Sequence, residues 1–435
     1  MDPERLWHNH DILCEIFEHL SLSDDWDAEP PDLNSLASCA RVCRAFLDPA
    51  LDGVWRELRC IDYLLAVFSA FRKDQRGTYR LDGDVTAEEW SRYHYYARRV
   101  RILWYDCEHS LSTLLADLAS HAGDVQLFPS LKIIRIGSID HLDSSLQYLL
   151  SPTVRSVFID DLETSHAHHQ EDIRGTFLYH LFHKSPLLEE LDLTHPSLPY
   201  PMASFRDITL CNYLVQLTVD VPSVDLDTLR AISKLESLLD FSISCRILGD
   251  SIPACSGFSN LHHLQVHGKL PNIKAILACI SPPHLQKLFV SHIATYRMRE
   301  DFASRYTDVV EVLSSKHRAL RDITFRGISP APSSVDEKSA LNIFRPLLQL
   351  HDLQNINLNF DYRTLGLSDE DLHSIASAWP RLTSFSLSYG KSTAVPSFDA
   401  LDHLARCCPE LTKLRLPSLD LRSFPRLEGI RSTSN

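Results

Sequence analysis

"ALDHLARCCPELTKLRL" (residues 400–416) decides the fold. Its first part is a helical run, Pro409 stops that run, and Leu411, Leu414 and Leu416 then follow as apolar-x-x-apolar-x-apolar. A proline just past a helix with a short alternating segment behind it reads as helix, turn and strand. The six-residue pattern recurs as LKIIRI (131–136), VRSVFI (154–159), LEELDL (188–193), LVQLTV (214–219) and LLDFSI (238–243). It continues as LHHLQV (261–266), LQKLFV (285–290), LRDITF (320–325), LQNINL (353–358) and LTSFSL (382–387). ARRVRI (97–102) reads as a first copy. Successive starts from Leu131 lie 23, 34, 26, 24, 23, 24, 35, 33, 29 and 29 residues apart. Such a period predicts one stacked α/β array, a solenoid. It replaces the roughly three separate domains that about 150 residues per domain would suggest.

The apolar positions of each copy are core. The positions between them face the other side of the sheet, because strand side chains alternate with period two. The third, fifth and seventh places therefore line one surface, and the concave face of a solenoid is its usual binding surface. Early copies place Phe158, Asp160, Glu190, Asp192, Asp220 and Asp240 there. His263, Gln265 and His267 follow, then Lys287 and Phe289, and late copies present Arg326, Asn355, Asn357, Asn359, Lys413 and Arg415. The lining is expected to run from acidic to basic. The candidate target-binding residues are Phe158, Glu190, Asp192, Asp220, Asp240, His263, Phe289, Arg326, Asn357 and Arg415, with the aromatics as anchors.

Residues 1–60 read differently. They hold 13 acidic and 5 basic side chains, a large share of the chain's net charge of −14. In HDILCEIFEHL (10–20), Ile12, Leu13, Ile16, Phe17 and Leu20 recur at helical spacing. A second helix uses Leu33, Leu36, Ala37, Ala40 and Cys43, and a third uses Phe46, Leu47, Ala50, Leu51, Val54, Trp55 and Leu58. Cys39 and Cys43, four apart, are expected in the core of the second. The apolar residues spill beyond one stripe per helix, so the unit should dock on something.

DILCEIFEHL together with LNSLASCARVCRAFLDPALDGVWREL, residues 11–58, resembles an F-box in the form common in fungal F-box proteins. His8-Asn9-His10 stands where the motif usually opens with Leu-Pro, and Ser23 to Asp32 read as an insertion. The resemblance implies binding to the Skp adaptor and, through it, cullin, with Ile12, Leu13, Ile16, Leu20, Leu36, Val42, Cys43 and Trp55 in the contact. One strand and one helix per repeat likewise resembles the leucine-rich repeat, and HLARCCPELTKLRL (403–416) is similar to the cysteine-containing variety found behind F-boxes. The Asn or Cys that such repeats carry is replaced here by Ile139, Leu162, Ile293, Ile328 and Leu419. Together these resemblances imply a horseshoe of about 11–12 degenerate repeats behind an F-box. The function implied is substrate recognition in a Skp–cullin–F-box ubiquitin ligase, with an unknown protein as target. A leucine-rich-repeat scaffold or inhibitor acting outside ubiquitin ligation is the alternative.

The expected organisation is a helical unit over 1–60, a helical linker over 61–96 and the solenoid over 97–435. The connecting segment Leu58–Arg101 carries basic residues from Arg72 to Arg101 among Trp90, Tyr93, Tyr95 and Tyr96. A connector packing its aromatics on the first repeat is favoured over a nucleic-acid patch. The acidic balance of the chain argues against duplex DNA or an anionic membrane. Its apolar stretches are far shorter than the ~20 residues of a bilayer span. MDPERLWHNH lacks the basic start and apolar core of a signal peptide, so a cytoplasmic or nuclear protein with reduced thiols is expected. Cys407-Cys408 read as a helix end before Pro409. His166, His168 and His169 read as a solvated loop without the second cluster that zinc requires. No phosphate-binding glycine loop or nucleophile elbow occurs, so neither a cofactor nor an enzymatic activity is expected.

Overall fold

The computed structural model describes residues 9–21, 33–73, 79–105, 112–123, 125–137, 144–159, 171–194, 202–223, 226–247, 255, 257–293, 302–328, 338–392 and 394–420. The presumed insertion 23–32 and the histidine-rich loop 166–169 lie outside them. The chain forms two compact units, Met1–Thr218 and Val219–Asn435. The helical N-terminus and the early repeats belong to the first.

Three helices open unit 1: α1 (His10–Ser21), α2 (Leu33–Cys39) and α3 (Arg44–Arg56). α1 and α2 both pack on α3. Their core is Leu13, Phe17, Leu36, Ala40 and Ala50, with Phe17 edge-on to Phe46 at 5.5 Å. Cys39 packs against this core, but Cys43 is exposed. Helical spacing does not apply to that pair, because α2 stops at Cys39. Cys43 is the extended residue before α3, with φ −157° and ψ 167°.

β1 (Glu57–Leu58) and a short helix α4 (Asp62–Leu65) follow. β2 (Phe71–Lys73) and β3 (Tyr79–Leu81) then form an antiparallel hairpin, and α5 (Ala87–Ala97) starts at a Thr86/Glu89 capping box. The hairpin corrects the reading of 61–96 as wholly helical. Strands of three residues are too short to show a period of two. The aromatics do pack as a connector: Tyr93 stacks with Phe68 and Trp90 at 5.3 and 5.1 Å, and its buried hydroxyl donates to Leu127 O at 3.2 Å.

The repeat strands of unit 1 are β4 (Ile102–Tyr105), β5 (Ile133–Ile136), β6 (Ser156–Ile159) and β7 (Glu190–Leu193). Each pairs in parallel with the next, and β1 pairs in parallel with β4. Leu103 lies opposite Ile134 and Tyr105 opposite Ile136. The first copy is therefore VRILWY (100–105), with Val100, Leu103 and Tyr105 buried, three residues later than ARRVRI. The wrong frame also satisfied the pattern, because apolar residues fall on both.

β8 (Gln216–Ser223) spans the boundary between the units. Unit 2 contains β9 (Asp240–Ile247), β10 (His263–Gly268), β11 (Lys287–Ile293), β12 (Asp322–Ile328), a short β13 (Lys338–Ser339), β14 (Asn355–Gly366), β15 (Ser384–Ser392) and β16 (Lys413–Arg415). All pair in parallel in chain order, with β13 set aside on β14. Both units are thus solenoid-like stacks of strand–helix repeats. Every strand from β5 onward, β13 apart, starts two residues into its motif.

The spacing between copies follows the crossover. The gaps of 34 and 35 residues hold the longest helices, Glu171–Lys184 and Phe302–Lys316. Among the described residues, the crossover in the 23-residue gap after Leu131 is a 3₁₀ segment, Ser144–Tyr148. A parallel pair needs a crossover, and its length is free provided that it returns to the next rung. Leu261, Leu264 and Val266 are each sealed from solvent, as are their counterparts in most copies. The copy at 411–416 is the exception, with Leu414 39% exposed. Among the described residues no later strand pairs with β16. Phe398–Cys407 does end before Pro409, with Cys408 buried as its cap.

Candidate functional site

α1 carries two apolar stripes. Leu13 and Phe17, four residues apart, turn inward. Ile12, Ile16 and Leu20, also at four-residue steps, lie about 100° away around the helix. Of these Ile16 is 41% and Leu20 57% exposed, while Ile12 is half-buried. Val42, in the turn between α2 and α3, is 68% exposed, and Cys43 beside it is exposed. Leu33 and Leu47 are also exposed. Leu13 and Leu36 are sealed in the core, so they support the surface and are not part of it.

Trp55 is half-buried and packs against Tyr96 of α5, the rings tilted by 30° with centres 4.7 Å apart. It belongs to a joint between α3 and α5. The Arg99 guanidinium, with the residue 6% exposed, pairs with Asp48 at 2.5 Å and with Asp52, one turn apart on α3. It also lies over the Tyr95 ring at 4.7 Å, and the Tyr95 hydroxyl donates to Asp48. Burial works against the charge of Arg99, but the bonds to Tyr95, Asp52 and Asp48 outweigh it and raise its pKa. Arg56 meets Glu18 of α1 at 2.6 Å beside a polar cavity of about 310 Å³ that Arg101 and Lys132 also line. Helical spacing marked Trp55 as apolar, and no signal in one sequence distinguishes a residue facing a partner from one facing the next helix of the same chain.

On the sheet of unit 1, Trp104, Arg135, Phe158 and Asp192 occupy one rung across four strands. Arg135 lies over Trp104 at 4.8 Å and over Phe158 at 5.3 Å. Arg59 covers Trp104 at 5.6 Å, and the Trp104 indole donates to Glu57 at 2.7 Å. Cation and aromatic alternate along the row. Trp104 escaped the sequence reading because of the three-residue frame error. Arg135 stood at the fifth place of its copy and is the link between the two rings. Glu190 sits one rung below Asp192 on β7. Burial raises the pKa of both carboxyls; for Glu190 a bond from Ser156 and the field of Arg135 offset this only in part.

In unit 2 the corresponding face is mostly neutral and polar. His263 Nδ1 meets Asp240 at 2.6 Å, and Asn355 donates to Asp322 at 2.7 Å. His267 lies beside Phe289 with ring centres 5.5 Å apart, and burial lowers its pKa. A shallow cavity of about 360 Å³ is lined by His263, Lys287, Phe289, Thr324, Asn357 and Ser384. Arg326, Asn357 and Arg415 are exposed on their strands. Asp322, at the third place of its copy, interrupts the expected turn towards basic residues. Asp220 lies on β8, with its side chain outside the described residues.

Residues 10–61 match the F-box-like family model. No curated protein matches the chain. Among the described residues, no helix is long and apolar enough to cross a membrane.

Proposed function

We propose that this chain is a substrate-recognition subunit of a Skp–cullin–F-box ubiquitin ligase. The observation that carries the reading is the exposure of Ile16 and Leu20 on α1 and of Val42 in the turn before α3, all within the segment matching the F-box-like family. Several large apolar side chains left in solvent by one small helical unit mark an interaction surface. The helical unit binds the Skp adaptor through these residues, with Ile12 and Cys43 contributing. The strand–helix repeats, read as leucine-rich repeats, bind the target protein on their sheet face. Catalysis is by proximity: a target lysine held near the charged conjugating enzyme reacts at high effective concentration, and this chain supplies no reacting group.

The test is capture of Skp adaptor and cullin on the full-length chain. Wild-type protein should retain both. Ile16→Asp with Val42→Asp should weaken adaptor capture at least about tenfold, as loss of interface anchors does, with thermal stability unchanged. Undiminished capture by that variant overturns the assignment of the surface. Adaptor capture without cullin would favour the scaffold reading.

A further inference from the structure

The leading ends of the first strands carry a row of like charge. Arg101 N donates to Arg56 O at 2.8 Å, Lys132 N to Arg101 O at 2.8 Å, and Arg155 N to Lys132 O at 2.7 Å. Four basic residues thus stand side by side, each one place ahead of β1, β4, β5 and β6, on strands about 5 Å apart. Glu189 takes the next place and closes the row, 3.7 Å from Arg155. In unit 2 the same place holds Gln286, Arg321 and Gln354 in succession, a cation between two amides. Like charges at facing places on a sheet repel, so the row has a cost that unit 2 avoids.

Arg56, Arg101 and Lys132 all line the polar cavity of about 310 Å³, whose other wall is α1 and α3. The carboxylates on that wall are engaged, Asp52 with Arg99 and Glu18 with Arg56 at 2.6 Å. Arg101 donates to two backbone carbonyls, of Arg98 at 2.9 Å and Ser130 at 3.4 Å. Among the described residues neither Arg101 nor Lys132 lies within ion-pair distance of a carboxylate. Burial and the Arg56 charge outweigh the fields of Asp52 and Glu18 and hold the Arg101 pKa below its ordinary value. Arg56 Nε is buried with no acceptor among the described residues, a condition that is uncommon in folded chains. An anion in the cavity would relieve the row and the buried donor together.

We propose that this cavity binds a small phosphorylated molecule, with its phosphate against Arg101 and Lys132 and Arg56 at the edge. A phosphate carries close to two negative charges at neutral pH and presents three oxygens in different directions. It therefore accepts from cations that approach from separate strands, and a guanidinium fork matches its geometry. A carboxylate offers two oxygens in one plane and suits a single guanidinium, as Glu18 does for Arg56. The volume is that of a site for a metabolite-sized ligand. Because the wall joins α1, α3 and two strand ends, an occupant also ties the helical unit to the first repeats. The site is independent of what the outer apolar surface and the sheet face bind.

The probes are inorganic phosphate and pyrophosphate, titrated into the full-length chain by calorimetry in metal-free buffer of constant ionic strength. Citrate serves as a carboxylate polyanion, and a Gly-Ser peptide with one central phosphoserine as a phosphate on a chain. Both inorganic probes should bind, pyrophosphate more tightly, and citrate and the peptide should bind at least about tenfold more weakly than pyrophosphate. Lys132→Gln changes an exposed side chain and should weaken pyrophosphate about threefold to fivefold. Adding Arg101→Gln should take the loss beyond about tenfold. Glu18→Gln releases Arg56 from its pair and should tighten binding severalfold, a gain that a misfolded variant cannot produce. Lys234→Gln, at an exposed position of unit 2, should leave binding unchanged. The proposal is overturned if neither inorganic probe binds, or if citrate or the phosphopeptide binds as tightly as pyrophosphate. It is equally overturned if Lys234→Gln weakens binding as much as Lys132→Gln, which would report net charge alone.

Discussion

The helical unit and the repeats draw on the same residue types and put them to opposite uses. In the repeats Leu261, Leu264 and Val266 are fully sealed, and nearly every copy does the same. In the helical unit Leu13 and Phe17 are sealed, while Ile16, Leu20 and Val42 stand in solvent. Both patterns are regular, so regularity alone does not separate a residue that makes the fold from one that makes a contact. The difference lies in how many stripes one element can hide. A strand between two parallel neighbours has one inward face, and the motif fills only that face. α1 has one inward face and fills two.

The contrast breaks if truncation inside the repeats is cheap. Trp379 is fully buried at the end of a unit 2 helix, and its indole donates to Leu347 O at 3.2 Å. Trp379→Ala should cost about 3–5 kcal/mol of stability, measured by urea unfolding. A loss below about 1 kcal/mol would show that the repeats tolerate vacancies and are not tightly packed.

A smaller effect is expected at the joint. Arg99→Ala removes a buried cation, but its partners Asp48 and Asp52 are about half exposed and regain water. The expected loss is about 1–3 kcal/mol. Hydrogen exchange should rise in α3 and α5 and not in unit 2. Equal loosening everywhere in unit 1 would mean that the joint is not a local device.

The smallest effect concerns the sheet face. Because burial holds Glu190 and Asp192 above the ordinary carboxylate range, ionising them is harder in the folded state than in the unfolded one. That penalty is present at neutral pH and fades as pH falls towards their ordinary values near about 4. Glu190→Gln with Asp192→Asn should therefore raise Tm near neutral pH by only about 1 °C, after discounting for partial exposure. The gain should vanish at low pH. A gain independent of pH would point to packing and not charge.

The repeats were legible because eleven copies repeat one error-tolerant rule. A misplaced frame in ARRVRI was outvoted by the others for the fold, yet it hid Trp104 from the site. The helical unit was legible as helices, since Ile12, Leu13, Ile16 and Phe17 keep their spacing. Which stripe faced outward was not legible, because that depends on where α3 lies. Cys43 was misplaced for a related reason: its spacing from Cys39 is helical only if α2 continues, and it does not. The hairpin β2–β3 left no period to detect. Charge pairs such as Arg99 with Asp48 and Asp52 join residues some fifty positions apart, and nothing local in the chain announces them.

The spacing of Asp48 and Asp52 has a mechanical consequence. A single ion pair would let α3 roll about its own axis against α5. Two anchors one turn apart, closed on one guanidinium and backed by Trp55 on Tyr96, resist that torque. A partner gripping Val42 and Leu20 therefore acquires a fixed bearing on the Trp104–Asp192 row. On the proposed function, the lysine that reaches the conjugating enzyme is chosen by its offset along the target from the segment held on the sheet face of the repeats, as a jig sets where a hole is drilled.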